Sequence, residues 1–122
     1  MIQILVVDDE RSIVELLQMF LEEEGYQVVT AHNGEEGLKH LERARPAVIL
    51  CDLMMPVLDG RQMCQRLQSD LRYRSIPFVL MSAVKKAVNP TDCHYAALLT
   101  KPFNLDEVLS TIAKLVRDIS PL

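Results

Sequence analysis

Ala47-Val48-Ile49-Leu50-Cys51-Asp52 is a run of apolar residues closed by a carboxylate. A strand with one wet face alternates apolar and polar side chains, whereas a strand buried on both faces need not. The run therefore reads as a central strand of a parallel sheet. Toward the N-terminus, Pro46 stops a helix that Asn33 caps and that carries Leu38 and Leu41 inward. Residues 26–31 form a strand before that helix. Earlier still, Ile13, Leu16, Leu17, Phe20 and Leu21 repeat at the spacing of one helical face, and Gly25 stands just past its end. Ser12-x-x-Glu15 as a capping box and Asp9 as a cap are both open starts for it. The first strand is residues 2–7.

Toward the C-terminus, a loop with Pro56 and Gly60 leads into a helix whose core face is Met63, Cys64, Leu67 and Leu71. Strands follow at 77–81 and 97–100. Asn104-x-x-Glu107 then opens a last helix with apolar positions Val108, Leu109, Ile112, Leu115, Val116 and Ile119. Between the last two strands, residues 84–95 have no clear helical stripe, and Asn89-Pro90 disfavours a helix running through that point. A short or irregular helix is expected there, with Pro90 as its possible first residue.

Regular alternation of strand and helix gives an α/β fold, a doubly wound five-stranded parallel sheet with right-handed crossovers. One common strand order is 2-1-3-4-5, which reverses between strands one and three. The 122 residues fit a single domain, 1–122, either standing alone or cut from a longer chain. At 49% hydrophobic and 25% charged, the composition is globular. Lys+Arg 13 against Asp+Glu 17 gives a net charge of −4 with no basic cluster, which argues against direct nucleic-acid binding. The apolar runs are too short to span a membrane, and residues 2–7 meet Asp8 and Asp9 with no cleavage site, unlike a signal peptide. Cys51, Cys64 and Cys93 form no CxxC pair and read as cytosolic thiols rather than a disulfide framework or a zinc site. A cytoplasmic location follows from the same reading.

Ligands of open α/β sheets bind beyond the carboxyl ends of the strands, at the reversal of strand order. Strand one ends in Asp8-Asp9, strand three in Asp52, strand four in Ser82, and strand five runs into Lys101. Singly, each is an ordinary turn or surface residue. Together on one edge they form a constellation. Converging carboxylates repel unless a cation lies between them, and a donor set of oxygens without His or Cys favours a hard cation, Mg²⁺ above all. Mg²⁺ and the Lys101 ammonium would neutralise Asp8, Asp9 and Asp52. Such a site suits a transferring phosphoryl group, and a carboxylate can itself be the nucleophile.

Val6-Val7-Asp8-Asp9-Glu10, Cys51-Asp52-Leu53-Met54-Met55-Pro56-Val57-Leu58-Asp59-Gly60, Met81-Ser82-Ala83 and Thr100-Lys101-Pro102-Phe103 resemble the receiver domain of bacterial two-component response regulators. The resemblance covers essentially the whole chain, with the motifs in the family's order. The family's chemotaxis regulator has the flavodoxin-like 2-1-3-4-5 sheet, so the strand order and the resemblance are not independent. The resemblance implies that Asp52 is the phosphoacceptor, taking its phosphoryl group from a phosphohistidine on a sensor histidine kinase or phosphotransfer protein. It implies Mg²⁺ held by Asp9 directly, by Asp8 largely through water, by Asp52 and by the backbone carbonyl of Met54. Ser82 and Lys101 would contact phosphoryl oxygens, and Lys101-Pro102 would be a cis peptide that aims the ammonium into the site. A kinase would dock over the first helix at Arg11, Ser12, Glu15 and Gln18.

Two departures bear on the switch. Leu98 stands where the family usually carries an aromatic ring, and the interval from Ser82 to Lys101 is shorter than usual. Both fall on the surface that commonly carries the output signal, so a monomer or weak dimer is expected. Three readings compete. The first is a phosphorylation-dependent switch that catalyses only its own phosphorylation and dephosphorylation. The second is a receiver-like interaction module working without phosphate. The third is an aspartyl-phosphate hydrolase, which generally needs an acid where Met54 stands. Met54 and Val84 are apolar and orient no water, so slow self-dephosphorylation is expected. His32, His40 and His94 are far apart and read as solvated or capping residues, Cys51 as core, and Arg72, Arg74, Lys85 and Lys86 as a solvated rim. Met54 and Met55 fit partner contacts and a lid over the acceptor equally well.

Overall fold

A computed structural model describes residues 1–83 and 93–119 of the chain. The strands are β1 (Gln3–Val7), β2 (Gln27–Ala31), β3 (Val48–Asp52), β4 (Phe78–Ser82) and β5 (Ala97–Thr100), all parallel, in the order β2-β1-β3-β4-β5. The helices are α1 (Arg11–Glu23), α2 (Gly34–Leu41), α3 (Gly60–Gln68) and α4 (Leu105–Ile119). The expected sheet is the observed one. The short helix expected within 84–95 falls largely on residues outside the described ones, and Cys93–Tyr95 carry no regular structure.

Side-chain alternation along the strands divides the interior into two cores. Leu5, Val7, Ile49, Cys51, Phe78 and Leu80 point to the side of Met63, Cys64 and Leu67 of α3. Ile4, Val6, Val48, Leu50, Val79 and Met81 point to the side of Leu17 and Leu21 of α1 and Val108 and Ile112 of α4. All of β3 and β4 is buried, as two covered faces require.

Helix ends follow local chemistry. Gly25, at φ 94°, ends α1: its N–H donates to the Glu22 carbonyl and that of Tyr26 to Leu21, which satisfies two carbonyls that would otherwise lack partners. Asn33 caps α2 by accepting the Glu36 N–H at 2.8 Å. Asp59 and Gln62 cap α3 reciprocally, at 2.8 and 3.0 Å. Asn104 accepts the Asp106 N–H at 2.7 Å as α4 begins. At the far end of the sheet, the Arg45 guanidinium donates to the Arg72 carbonyl and to Ser75 Oγ, tying the exit of α2 to the approach of β4.

Three expectations are corrected. Neither Ser12 nor Asp9 caps α1; Glu10 is the cap residue and its side chain makes no capping bond, while the Asp8 carboxylate accepts the Glu10 N–H (2.9 Å). Leu71 is not a core residue of α3. The helix ends at Gln68, where Ser69 and an Asp70–Arg72 turn stop it, and Leu71 is 76% exposed. Nor are all the cysteines free thiols: Cys64 and Cys93 are joined in a disulfide with Cα atoms 5.8 Å apart. They are 29 positions apart in the chain, and only packing brings them together.

Candidate functional site

Asp8 sits immediately past β1 and Asp52 ends β3, neighbouring strands on either side of the order reversal. Asp8 is fully buried, Asp52 nearly so, and Asp9 is exposed beside them. Carboxylate oxygens of the three lie within 4.8 Å of one another. From the end of β5, Lys101 reaches over them: its Nζ is 2.9 Å from Asp8 Oδ2, 3.1 Å from Asp52 Oδ1 and 3.7 Å from Glu10 Oε1. Ser82 is buried at the end of β4, opposite Thr100, and its carbonyl accepts the Lys101 N–H at 2.7 Å. The Lys101–Pro102 peptide is cis.

The loop after β3 is tight. Gly60 N–H donates to the Leu53 carbonyl, and a Cβ at Gly60 would run into the carbonyl oxygen of Asp52, so only glycine lets the chain return this close to Asp52. The Leu58 N–H donates to the Pro56 carbonyl at 2.8 Å, a γ-turn centred on Val57 at φ 70°. That conformation is rare and strained, more so for a β-branched residue. The strain sits five residues from Asp52.

Burial pushes the Asp52 carboxyl up; the hydrogen bond from Lys101 pulls it down, and the Asp8 charge raises it again, with an upward balance. For Lys101, burial favours the neutral amine, but hydrogen bonds to Asp8 and Asp52 outweigh it and hold the ammonium more firmly than usual. A buried ion pair with several acids per cation is an unsaturated arrangement: it attracts further positive charge. An oxygen-only donor set with one member open to solvent can hold a hard metal ion. Histidine plays no part: His40 faces Glu36 at 3.9 Å on α2, and the His94 carbonyl accepts from Gln68.

A family model described as "Response regulator receiver domain" matches residues 4–113. The chain belongs to the response regulator receiver domain family. The receiver is 40% identical over 119 residues to the alkaline phosphatase synthesis transcriptional regulatory protein PhoP of Bacillus subtilis, covering 94% of this chain and 48% of that protein. It is 37% identical over 123 residues to the response regulator MprA of Mycobacterium bovis, covering 98% and 53% respectively. It thus spans about half the length of the curated relatives it matches. Among solved structures it resembles the signal receiver domain of a signal transduction histidine kinase from Syntrophus aciditrophicus, at TM-score 0.90 and 30% identity over 100% of this chain and 95% of that one. It is also similar to the chemotaxis protein CheY4 of Vibrio cholerae, at TM-score 0.87 and 30% identity, covering 94% and 98%. Phosphorylation-dependent switching in two-component systems is the function of this family.

The receiver brings together the side chains singled out at its strand ends, Asp8, Asp9, Asp52 and Lys101, with Ser82 adjoining. The Met54 side chain stays out of the cluster, 76% exposed, while Met55 packs partly against the α3-side core. Cys51 turns away from the carboxylate cluster, its Sγ 3.9 Å from Met63 Sδ. Glu10 was missed as a Lys101 partner, although the unbroken Asp8-Asp9-Glu10 acidic run carried the signal. Among the described residues no helix is long and apolar enough to cross a membrane.

Proposed function

We propose that this receiver is a Mg²⁺-dependent phosphorylation switch whose acceptor is Asp52. The observation that carries the reading is the Lys101 ammonium held 3.1 Å from Asp52 inside a cluster of three carboxylates at the switch point of the sheet. An Asp52 oxygen attacks the phosphorus of a phosphohistidine, the P–N bond breaks, and the imidazole leaves with the bonding pair. Asp9, Asp8, Asp52 and the Met54 backbone carbonyl would hold Mg²⁺, which when bound neutralises charge on the phosphoryl oxygens. Lys101, already in place, donates to one phosphoryl oxygen and Ser82 to another. The upward-shifted Asp52 is a better nucleophile once the metal and Lys101 keep it ionised. The protein turns over no other substrate: it catalyses its own phosphorylation and dephosphorylation.

The donor is a sensor histidine kinase or phosphotransfer protein, met over α1 by Arg11, Ser12, Glu15 and Gln18. Exposed Leu16 and Met19 on the same helix offer apolar contact. The setting is the cytoplasm, and the protein is a monomer or weak dimer. A second reading, an interaction module indifferent to phosphate, is favoured by Leu98. This side chain packs half-buried against the α3-side core, opposite Leu80, and has no ring to swing when Ser82 engages phosphate. Acetyl phosphate with Mg²⁺ separates the readings: the wild type takes one phosphoryl group by intact mass, and Asp52→Asn takes none. Label retained on Asp52→Asn rejects Asp52 as acceptor. A wild type that takes none supports the second reading.

A further inference from the structure

Cys64 lies mid-way along α3, and Cys93 lies on the irregular approach to β5, both fully buried. Joined by their disulfide, both belong to the core on the α3 side of the sheet, with Met63, Phe78 and Leu80 in the same cluster and Tyr95 packed against it. One helical turn after Cys64, Gln68 Nε2 donates to the His94 carbonyl at 2.5 Å, a second tie between the same two segments. Beyond them, Ala96 N–H joins the Phe78 carbonyl and the sheet begins. The link therefore fastens α3 to a stretch of chain that is not itself part of the sheet. Downstream, that stretch leads through β5 to Lys101 in the acidic site.

Two features are compatible with a pair that opens and closes. A domain of this length with two complete apolar cores does not need a staple to fold. Among the described residues, Cys93–Tyr95 lie before the β4–β5 pairing, which begins at Ala97, so parting them from α3 gives up the Gln68–His94 hydrogen bond and local packing while that pairing stays in place. The remaining cysteine, Cys51, is fully buried in β3 with its sulfur against Met63, which shields it from competing in the exchange.

We propose that Cys64 and Cys93 form a thiol–disulfide exchange site, a second input to this domain that takes a low-molecular-weight disulfide such as oxidised glutathione. One cysteine thiolate attacks a glutathione sulfur, giving a mixed disulfide and one reduced glutathione. The other cysteine then displaces the second glutathione. Two protein thiols lose two electrons and two protons, and both appear as the thiols of two reduced glutathiones. The site is independent of phosphoryl transfer. Its closed form holds residues 93–95 on α3, and its open form releases them.

The test is to equilibrate the folded full chain in buffers of graded reduced and oxidised glutathione, quench with acid, denature, alkylate and record intact mass. The chain has three cysteines, so excess reduced glutathione is expected to give three adducts, and excess oxidised glutathione one, mapped to Cys51. Cys51→Ser should pass from two adducts to none over the same ratios. Amide exchange at His94 and Tyr95 should be at least several-fold faster in the reduced form. Three adducts at every ratio, a lasting glutathione adduct on either cysteine, or a lone adduct on Cys64 or Cys93 would each overturn the proposal. So would a link that survives excess reduced glutathione in the folded protein, which would make it a permanent staple. Phosphoryl labelling of Asp52 consumes no thiol, so the adduct count is read independently of it and neither reading can mask the other.

Discussion

The carboxyl edge of the sheet and the flank between α3 and β5 hold their parts together in opposite ways. At the edge, Lys101 stands between Asp8 and Asp52 through ionic hydrogen bonds, each of which an incoming cation or phosphoryl group can replace. At the flank, Cys64 and Cys93 are joined by a bond that only another sulfur or an electron donor can replace. The first responds to charge and is blind to redox state. The second is the reverse. A single small fold thus carries two regions that can be perturbed separately, and substitutions should show it.

The largest expected effect is at the edge. Asp9→Ala removes the solvent-open member of the cluster and should abolish Mg²⁺-dependent labelling by acetyl phosphate while leaving the thiol count unchanged. Phosphorylation of Asp9→Ala at the wild-type rate, followed by mass spectrometry over time, would break the comparison. Next comes the flank. In non-reducing buffer Cys93→Ser should cost about 3–4 kcal/mol of unfolding free energy, the entropy of a 29-residue closure, and far less in reducing buffer. Urea melts with and without dithiothreitol give the difference. Equal losses in both buffers would mean that the cost is lost packing and not the link.

The difference between these regions is also the difference in what the sequence disclosed. A buried apolar run that stops at a charge marks the edge of a sheet, so Asp8, Asp52 and Lys101 were legible as a group once the strands were. The disulfide was not legible, because no local pattern sets where α3 lies against the approach to β5. Leu71 misled for a related reason: its apolar spacing continued the α3 stripe, while Ser69 and the Asp70–Arg72 turn had already ended the helix. Asp59-x-x-Gln62 did carry a capping signature, which the more conspicuous Pro56 and Gly60 overshadowed.

A smaller effect sharpens the electrostatic side. The Asp52 carboxyl is raised, so in the absence of metal its ionisation opposes folding. That cost is absent below the ordinary aspartate pKa, grows as pH rises toward the raised value and stays constant above it. Asp52→Asn should therefore be more stable than wild type at neutral pH in metal-free buffer, with the gap closing in acid. Thermal melts across pH check this, and a gap that widens in acid would reverse the assignment. The smallest effect belongs to the γ-turn. Val57→Gly relieves a β-branched residue at φ 70° and should stabilise the fold by about 1 kcal/mol, measured by urea melts. A loss of similar size would show that the turn is not strained.

Cys51 turns these properties into a measurement. With Cys64 and Cys93 joined, it is the one free thiol in the chain, sealed in the core next to Asp52. Its sulfur lies against Met63, so an alkylating reagent can reach it only when α3 parts from the sheet, and the reaction rate becomes a clock for that opening. Any ligand that prefers the state with α3 seated slows the clock by a factor set by its concentration over its dissociation constant. The domain thereby contains its own unlabelled occupancy gauge, one peptide bond from the residue being occupied.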